Sequence, residues 1–218
     1  MKHINKLKGI YPITPQLNNN EITYLDNINK VISSGIKIIQ FREKSISQTK
    51  KKKLVNEIYK TCIANNVQLI INDDHELLKY YEGAGLHLGD GDLNIIEARK
   101  KYGENIIIGV SCYNSLENAF ISQESGADYV SFGAVFPTKS KNNAKKCSLQ
   151  IMKNAKVKLK IPICLIGGIM RNNILDVIKY EPDMIGIISG IFNTNDAKLE
   201  TLKIIKKIEE YEEFKEII

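Results

Sequence analysis

The sequence predicts one α/β domain, a single (β/α)8 TIM barrel over residues 1–218, with its active site at the C-terminal ends of the strands. Three observations predict it. Eight short apolar runs of β type recur along the chain, helical patterns separate them, and no linker or low-complexity stretch breaks the alternation. Strand–helix alternation implies a parallel sheet, and eight units favour a closed barrel over an open one. The 218 residues suit one domain near the lower end for this fold. With 43% hydrophobic and 26% charged residues, the chain can build a core and has an ordinary globular balance.

The runs are residues 9–14, 36–42, 68–72, 85–88, 106–111, 129–135, 163–166 and 184–189. Most are continuously apolar, as strands covered on both faces should be. After the second run Ser47 is placed to cap a helix with the stripe Leu54, Val55, Ile58, Tyr59, Cys62 and Ile63. The last helix carries Leu202, Ile205, Ile208 and Tyr211 at similar spacing.

Composition narrows the function. No apolar run approaches the roughly 20 residues that cross a bilayer. Residues 1–9 are basic without the apolar core of a secretory signal, so a cytoplasmic protein with no membrane partner is expected. The net charge of +6 is spread over several helices and is densest at Lys50–Lys53. Without interleaved aromatics or a reading motif, that run reads as a solvated face and no nucleic-acid partner is expected. A general attraction for anions remains. Cys62, Cys112, Cys147 and Cys164 show no CxxC spacing, against a zinc knuckle or disulfide framework. Cys62 and Cys164 sit in apolar patterns; Cys112 follows a candidate site residue and is weighed as a reactive thiol, a packed one being the plainer reading.

Polar residues at strand ends carry the candidate chemistry. In the second unit, Gln40, Arg42 and Lys44 are two apart and share a face. Two cations there suit a polyphosphate, Arg through a fork and Lys as a point charge, with a salt-bridge network to Glu43 as the plainer alternative. The third unit ends Asn72-Asp73-Asp74 and the fourth His87-Leu88-Gly89-Asp90-Gly91-Asp92. Adjacent strands lie about 4.8 Å apart, so Asp73 and a carboxylate past the fourth strand can share a cation. Few carboxylates plus substrate phosphate oxygens is the usual way to hold Mg2+. Helix capping is the plainer reading for Asp74, evenly weighed for Asp90, and less suited to Asp73 and Asp92. His87 reads as a packed, hydrogen-bonded histidine and is set aside. Ser111 ends the fifth strand, and Thr138-Lys139-Ser140-Lys141 follows the sixth with two hydroxyls and two ammonium groups. Glycines after the seventh and eighth strands (Gly167-Gly168, then Ile188-Ser189-Gly190) can bind a phosphate on backbone N–H groups, or serve only tight turns. Two anion sites and one metal in one mouth imply two small phosphorylated ligands.

These segments, in this order, resemble the thiamine phosphate synthase family. The matching pieces are YPIT from Tyr11, QFREK from Gln40, LIIND from Leu69, GLHLGDGD from Gly85 and GVS from Gly109. They continue with GADYVSFGAVFPTKSK from Gly126, IPICLIGGI ending at Ile169 and IISG from Ile187. The likeness touches every strand, and its specificity lies in the set. It implies a Mg2+-dependent transferase of thiamine biosynthesis that couples hydroxymethylpyrimidine diphosphate to a thiazole phosphate by a dissociative path. By position, Gln40, Arg42, Lys44, Asn72, Ser111 and Lys141 would hold the pyrimidine diphosphate and Asp73 and Asp92 the metal. Thr138, Ser140, Gly168, Ile188 and Ser189 would hold the thiazole phosphate, and Arg42, Lys44, Ser111 and Lys141 would serve catalysis. A homo-oligomer is compatible with the sequence. The chain departs from the family wording at Asp90-Gly91 (commonly Gln-Glu), Asp74 (often basic), Pro15 (often Asp) and Ser140 (usually Thr). The rival readings are a thiazole tautomerase-like isomerase, an isomerase of phosphorylated sugars or amino acids, and a non-catalytic phosphate-ligand binding barrel. The tautomerases resembled carry a histidine in the loop after the sixth strand, whereas this chain has none beyond His87.

Overall fold

The computed structural model describes residues 4–18, 20–138 and 146–217. Its first half runs β1 (Gly9–Pro12), α1 (Glu21–Ile32), β2 (Ile38–Phe41), α2 (Gln48–Ala64), β3 (Gln68–Asn72), β4 (Gly85–Leu88), α3 (Ile95–Tyr102) and β5 (Ile108–Tyr113). The second half runs α4 (Leu116–Glu124), β6 (Tyr129–Phe132), α5 (Ile151–Lys158), β7 (Ile163–Ile166), α6 (Ile174–Ile178), β8 (Met184–Ile187), α7 (Ser189–Phe192) and α8 (Ala197–Ile217). Between β3 and β4 the chain crosses over by a 3-10 helix, His75–Tyr80.

All eight strands are parallel in one sheet, paired in the order β1-β8-β7-β6-β5-β4-β3-β2. The ring closes between β1 and β2, where Ile13 bridges Gln40 and the Thr14 N–H donates to the Gln40 carbonyl at 2.9 Å. The barrel the sequence predicts is therefore the barrel observed. Side-chain alternation divides the core in two. Leu7, Tyr11, Ile38, Ile70, Ile107, Tyr129, Cys164 and Met184 fill the inside, and a larger cluster lies between the strands and the helices.

The Ser47 hydroxyl caps α2, accepting from the Lys50 N–H at 3.3 Å. Leu54, Val55, Ile58 and Cys62 are buried as expected, but Ile63 is 62% exposed, one residue past the buried stripe. On α8 the stripe also shifts by one: Leu202 is exposed, while Thr201 and Ile204 are fully buried. Asp74 occupies the N-cap position of the 3-10 helix without a capping bond and instead binds Lys51 Nζ at 2.6 Å. Asn94, rather than Asp90, caps α3.

One glycine carries the packing inside the barrel. A Cβ at Gly109 would stand 2.0 Å from the Tyr129 ring, so a side chain there excludes that ring from its place. Gly109→Ala should cost about 1–3 kcal/mol through overpacking, a midpoint drop of roughly 3–10 °C in thermal unfolding. An unchanged midpoint would mean the interior absorbs a methyl group.

Candidate active site

A cleft opens at the C-terminal ends of the strands, with about 1140 Å3 of empty space counting its open mouth. Every residue the sequence analysis proposes for substrate or metal, within the described residues, lines it: Gln40, Arg42, Lys44, Asn72, Asp73, Asp92, Ser111, Thr138, Gly168, Ile188 and Ser189. Ser140 and Lys141 lie outside the described residues.

The β2 rim is tied to the β1 rim. The Arg42 N–H donates to Thr14 Oγ1 at 2.9 Å, and the Lys44 N–H to Gln16 Oε1 at 3.1 Å. The guanidinium of Arg42 makes no ion pair among the described residues, so it faces the cleft as an available cation fork. Glu43 does not pair with it. Its buried carboxylate accepts from the N–H of Leu17 at 2.6 Å and from the N–H and hydroxyl of Ser45 at 2.8 and 2.7 Å. Burial opposes its ionisation, but those hydrogen bonds prevail and hold it below the usual carboxylate range. Glu43 thus orders the loop that carries Lys44, and the salt-bridge alternative does not describe it.

Asp73 follows β3 in the left-handed region (φ 61°), its N–H on the His87 carbonyl at 3.0 Å. Its carboxylate binds Lys44 Nζ at 2.7 Å and shares a hydrogen bond with Asp92. Asp92 also accepts from the Gly89 N–H at 2.7 Å. Burial and then the proximity of Asp73 push the Asp92 carboxyl up to about 6. For Asp73, burial raises while the bonds to Asp92 and Lys44 lower, and the net is downward. Two carboxyl groups brought together so closely disfavour the second negative charge, which a cation between them can balance. A divalent ion fits that pair, its remaining positions left to ligand oxygens and water. Among the described residues no third carboxylate, histidine or cysteine joins them. Asp90 lines the cleft but is exposed, its N–H donating to the Tyr113 hydroxyl at 3.1 Å.

On the far side, the β6, β7 and β8 loops close against each other. The Val135 N–H donates to Ile166 O and the Phe136 N–H to Gly167 O, both at 3.0 Å. Gly168 has φ 64°, and a Cβ there would stand 2.4 Å from the Pro137 carbonyl. The loop therefore presents bare backbone at the cleft, next to the short helix α7 that begins at Ser189.

Cys112 is fully buried, and burial pushes its thiol up to about 12, which rules out a thiolate nucleophile at neutral pH. Cys62 and Cys164 are buried in the core as expected.

Comparison with known proteins agrees with this geometry. The family model for thiamine monophosphate synthase matches residues 10–191. The chain belongs to the thiamine monophosphate synthase family. A thiamine-phosphate synthase of Thioalkalivibrio sulfidiphilus is 32% identical over 94% of this chain and 97% of its own. One of Nitrosococcus oceani is 38% identical over 77% of each chain. The solved thiamine phosphate pyrophosphorylase of Pyrococcus furiosus superposes with a TM-score of 0.84 at 28% identity, covering 95% of this chain and 98% of its own. Family and relatives alike favour a synthase, a transferase, over the isomerase and binding-barrel readings. No helix among the described residues is long and apolar enough to cross a membrane.

The sequence analysis set aside His87, yet it lines the thiamine monophosphate synthase cleft and contacts Ser111 Oγ at 2.9 Å. Tyr11, Tyr113 and Ser131 line it too. A signal was present: His87 pairs in register with Asn72 and Gly109, so it has the same inward parity as Asn72 and Ser111.

Proposed function

We propose that this synthase condenses 4-amino-2-methyl-5-hydroxymethylpyrimidine diphosphate with 4-methyl-5-(2-phosphoethyl)thiazole, giving thiamine phosphate and pyrophosphate. The observation that carries it is the division of the cleft. Arg42, Lys44 and the Asp73–Asp92 pair meet on one rim, and backbone-lined β7 and β8 loops face them across it. The first rim suits a diphosphate with its counter-ion. The second suits a monophosphate, in the position where such barrels commonly bind one.

In this reading Arg42 and Lys44 grip the diphosphate, with Asn72, Gln40 and Ser111 along the pyrimidine. Thr138 and the backbone of Gly168, Ile188 and Ser189 hold the thiazole phosphate, and Ser140 and Lys141 extend the two sets. Mg2+ held by Asp73 and Asp92 would balance charge on the leaving pyrophosphate. As the methylene C–O bond breaks, its electron pair leaves with pyrophosphate, and the aminopyrimidine spreads the positive charge left on the methylene carbon. The thiazole nitrogen then attacks that carbon. Arg42 stabilises charge that grows on the departing oxygen, so its contribution is larger in the transition state than before it. No protein nucleophile is needed, and a buried, protonated Cys112 agrees with that.

The test is a coupling assay with both substrates and Mg2+, following thiamine phosphate and pyrophosphate with and without EDTA. Both products should form and chelation should stop them. No product, with thiazole phosphate still bound, would overturn the reading. Arg42→Ala should slow turnover on the order of 10²-fold. Wild-type turnover in that variant would remove Arg42 from its role.

A further inference from the structure

We propose that Asn173, behind the turn that follows β7, is a positioning residue for the thiazole phosphate. Its side-chain amide holds the Gly168 carbonyl away from the cleft and so aims the Ile169 N–H at the anion. The inference rests on the phosphate assignment above and adds a residue that touches no ligand.

Asn173 stands just before α6, where an asparagine side chain ordinarily caps the helix, yet it makes no capping bond. Both ends of its amide are spent on the turn before it. The Met170 N–H donates to Asn173 Oδ1 at 2.9 Å, and Asn173 Nδ2 donates to the Gly168 carbonyl at 3.0 Å. The Asn173 N–H also donates to the Met170 carbonyl at 3.1 Å, which closes the turn. These partners fix the orientation of the amide. Turned over, Nδ2 would face an N–H and Oδ1 a carbonyl, and both side-chain bonds would be lost. Asn173 is half-buried and does not line the cleft, whereas Gly168 and Ile169 do.

A trans peptide is planar, with its C=O and N–H on opposite edges. The Gly168–Ile169 peptide is trans, so a carbonyl held toward Asn173 sends the Ile169 N–H the other way, to the side that lines the cleft. The unit before it is set in the same manner. The Gly167 carbonyl accepts from the Phe136 N–H, and Phe136 does not line the cleft, so the Gly168 N–H points away from it. Among the described residues neither N–H donates to a protein acceptor. A phosphate oxygen placed there meets two successive backbone donors, and such bonds to a charged acceptor are the strong kind.

Packing fixes where this turn sits. A Cβ at Gly168 would stand 2.4 Å from the Pro137 carbonyl, and one at Gly190 would stand 2.4 Å from the Ile169 carbonyl, so the β6 loop and α7 wedge it from two sides. Packing does not aim its peptides as firmly. Gly167 and Gly168 have φ of 104° and 64° and no side chain to restrict them. Aim is therefore left to the bonds on the carbonyls. Without Asn173 the Gly168 carbonyl loses its donor and turns toward water, and the Ile169 N–H tilts off the phosphate with it.

The test is calorimetric titration of 4-methyl-5-(2-phosphoethyl)thiazole, and of its dephosphorylated alcohol, into wild type, Asn173→Ala and Asn173→Asp, with KM measured for both substrates. Asn173→Ala should weaken thiazole phosphate about 10-fold. The alcohol should bind as in wild type, and KM for the pyrimidine diphosphate should not change. Asn173→Asp keeps an acceptor for the Met170 N–H but sets a carboxylate against the Gly168 carbonyl, so it should weaken thiazole phosphate at least as much. A residue that merely supported the turn would lose affinity as alanine and keep it as aspartate, and that result would overturn the proposal. So would wild-type affinity in Asn173→Ala, or equal weakening of the phosphorylated and dephosphorylated thiazoles. Should Asn173→Ala fail to fold, the same comparisons on Asn173→Asp decide the matter. If wild-type protein forms no thiamine phosphate yet binds thiazole phosphate in an Asn173-dependent way, the coupling reading falls and the role of Asn173 stands. Coupling with equal affinity in wild type and both variants means the reverse.

Discussion

Asp92→Asn is expected to lower coupling turnover by about 10²–10³, and Asp73→Asn with Asp92→Asn by about 10³ or more. The same Asp92 change should leave the metal-free chain no less stable at neutral pH. The two halves of this expectation have one cause. Asp92 and Asp73 share a hydrogen bond beside Lys44, and burial together with the neighbouring carboxyl raises Asp92 to about 6. A carboxyl raised in the folded state contributes stability below its unfolded value, near pH 4, and loses it as the pH climbs through the folded value. At pH 7 that contribution is gone and the charge at Asp92 is a burden on the metal-free fold. Asparagine removes the burden and can still accept from the Gly89 N–H, the bond that orders the loop. Asp73 runs the other way. Its lowered value contributes stability above the unfolded range that is lost as the pH falls. The single Asp92 variant is therefore the clean one. Steady-state coupling at saturating Mg2+ and thermal unfolding with EDTA check the two halves. Wild-type turnover in Asp92→Asn would take the metal away from this pair, and a large fall in the midpoint would make Asp92 a structural residue instead.

The strand pattern was legible because these strands are buried on both faces. β3, β4 and β7 have the bounds the apolar runs imply, since polar residues or glycine border each run. β1, β2, β6 and β8 stop short, at Pro12, Phe41, Phe132 and Ile187. The residues beyond them (Thr14, Arg42, Ala134, Ser189) leave the ladder to build the cleft rim and stay apolar or partly buried because the loops pack on one another. The site was legible as parity at strand ends, which brings Gln40, Asn72 and Ser111 into one mouth. What stayed hidden depends on partners far apart in sequence. A lone His87 or Tyr129 carries no local pattern, and its meaning lies in a link across 42 positions. The loop-ordering role of Glu43 stayed hidden for the same reason, because its partner Leu17 lies 26 residues back. Caps failed where a stronger partner competed, as Lys51 does for Asp74.

The largest loss of stability is expected from Asp128→Ala, at the end of the barrel opposite the cleft. Arg99 is 8% exposed and spends all five of its donors. Nε and Nη2 reach Gly126 O at 2.9 and 2.7 Å, Nη1 reaches Gly103 O and Ile106 O at 3.1 and 2.9 Å, and Nη2 reaches Asp128 Oδ2 at 2.6 Å. Asp128, 7% exposed, also accepts the Ile108 N–H at 2.7 Å. One ion pair thus ties the end of α3, the turn after α4 and the first residues of β5 and β6. Removing the carboxylate leaves the buried guanidinium with only the exposed Glu104, 3.8 Å away, as counter-charge and orphans a strand N–H, a cost of about 3–5 kcal/mol. That corresponds to a fall of roughly 6–20 °C in the unfolding midpoint for a chain of this size. Asp128→Asn keeps an acceptor and should lose less, whereas Arg99→Lys should lose more than its conserved charge suggests, since an ammonium cannot reproduce the fork. Because the pair is buried, the loss should change little with salt. Turnover per folded molecule at low temperature should match wild type, because none of these groups lines the cleft. A midpoint for Asp128→Ala within a degree or two of wild type would mean that the backbone carbonyls and Glu104 satisfy Arg99 without it. A fall in turnover with stability intact would mean that the far end of β5 and β6 sets the position of Ser111 and His87 as well as the strength of the fold.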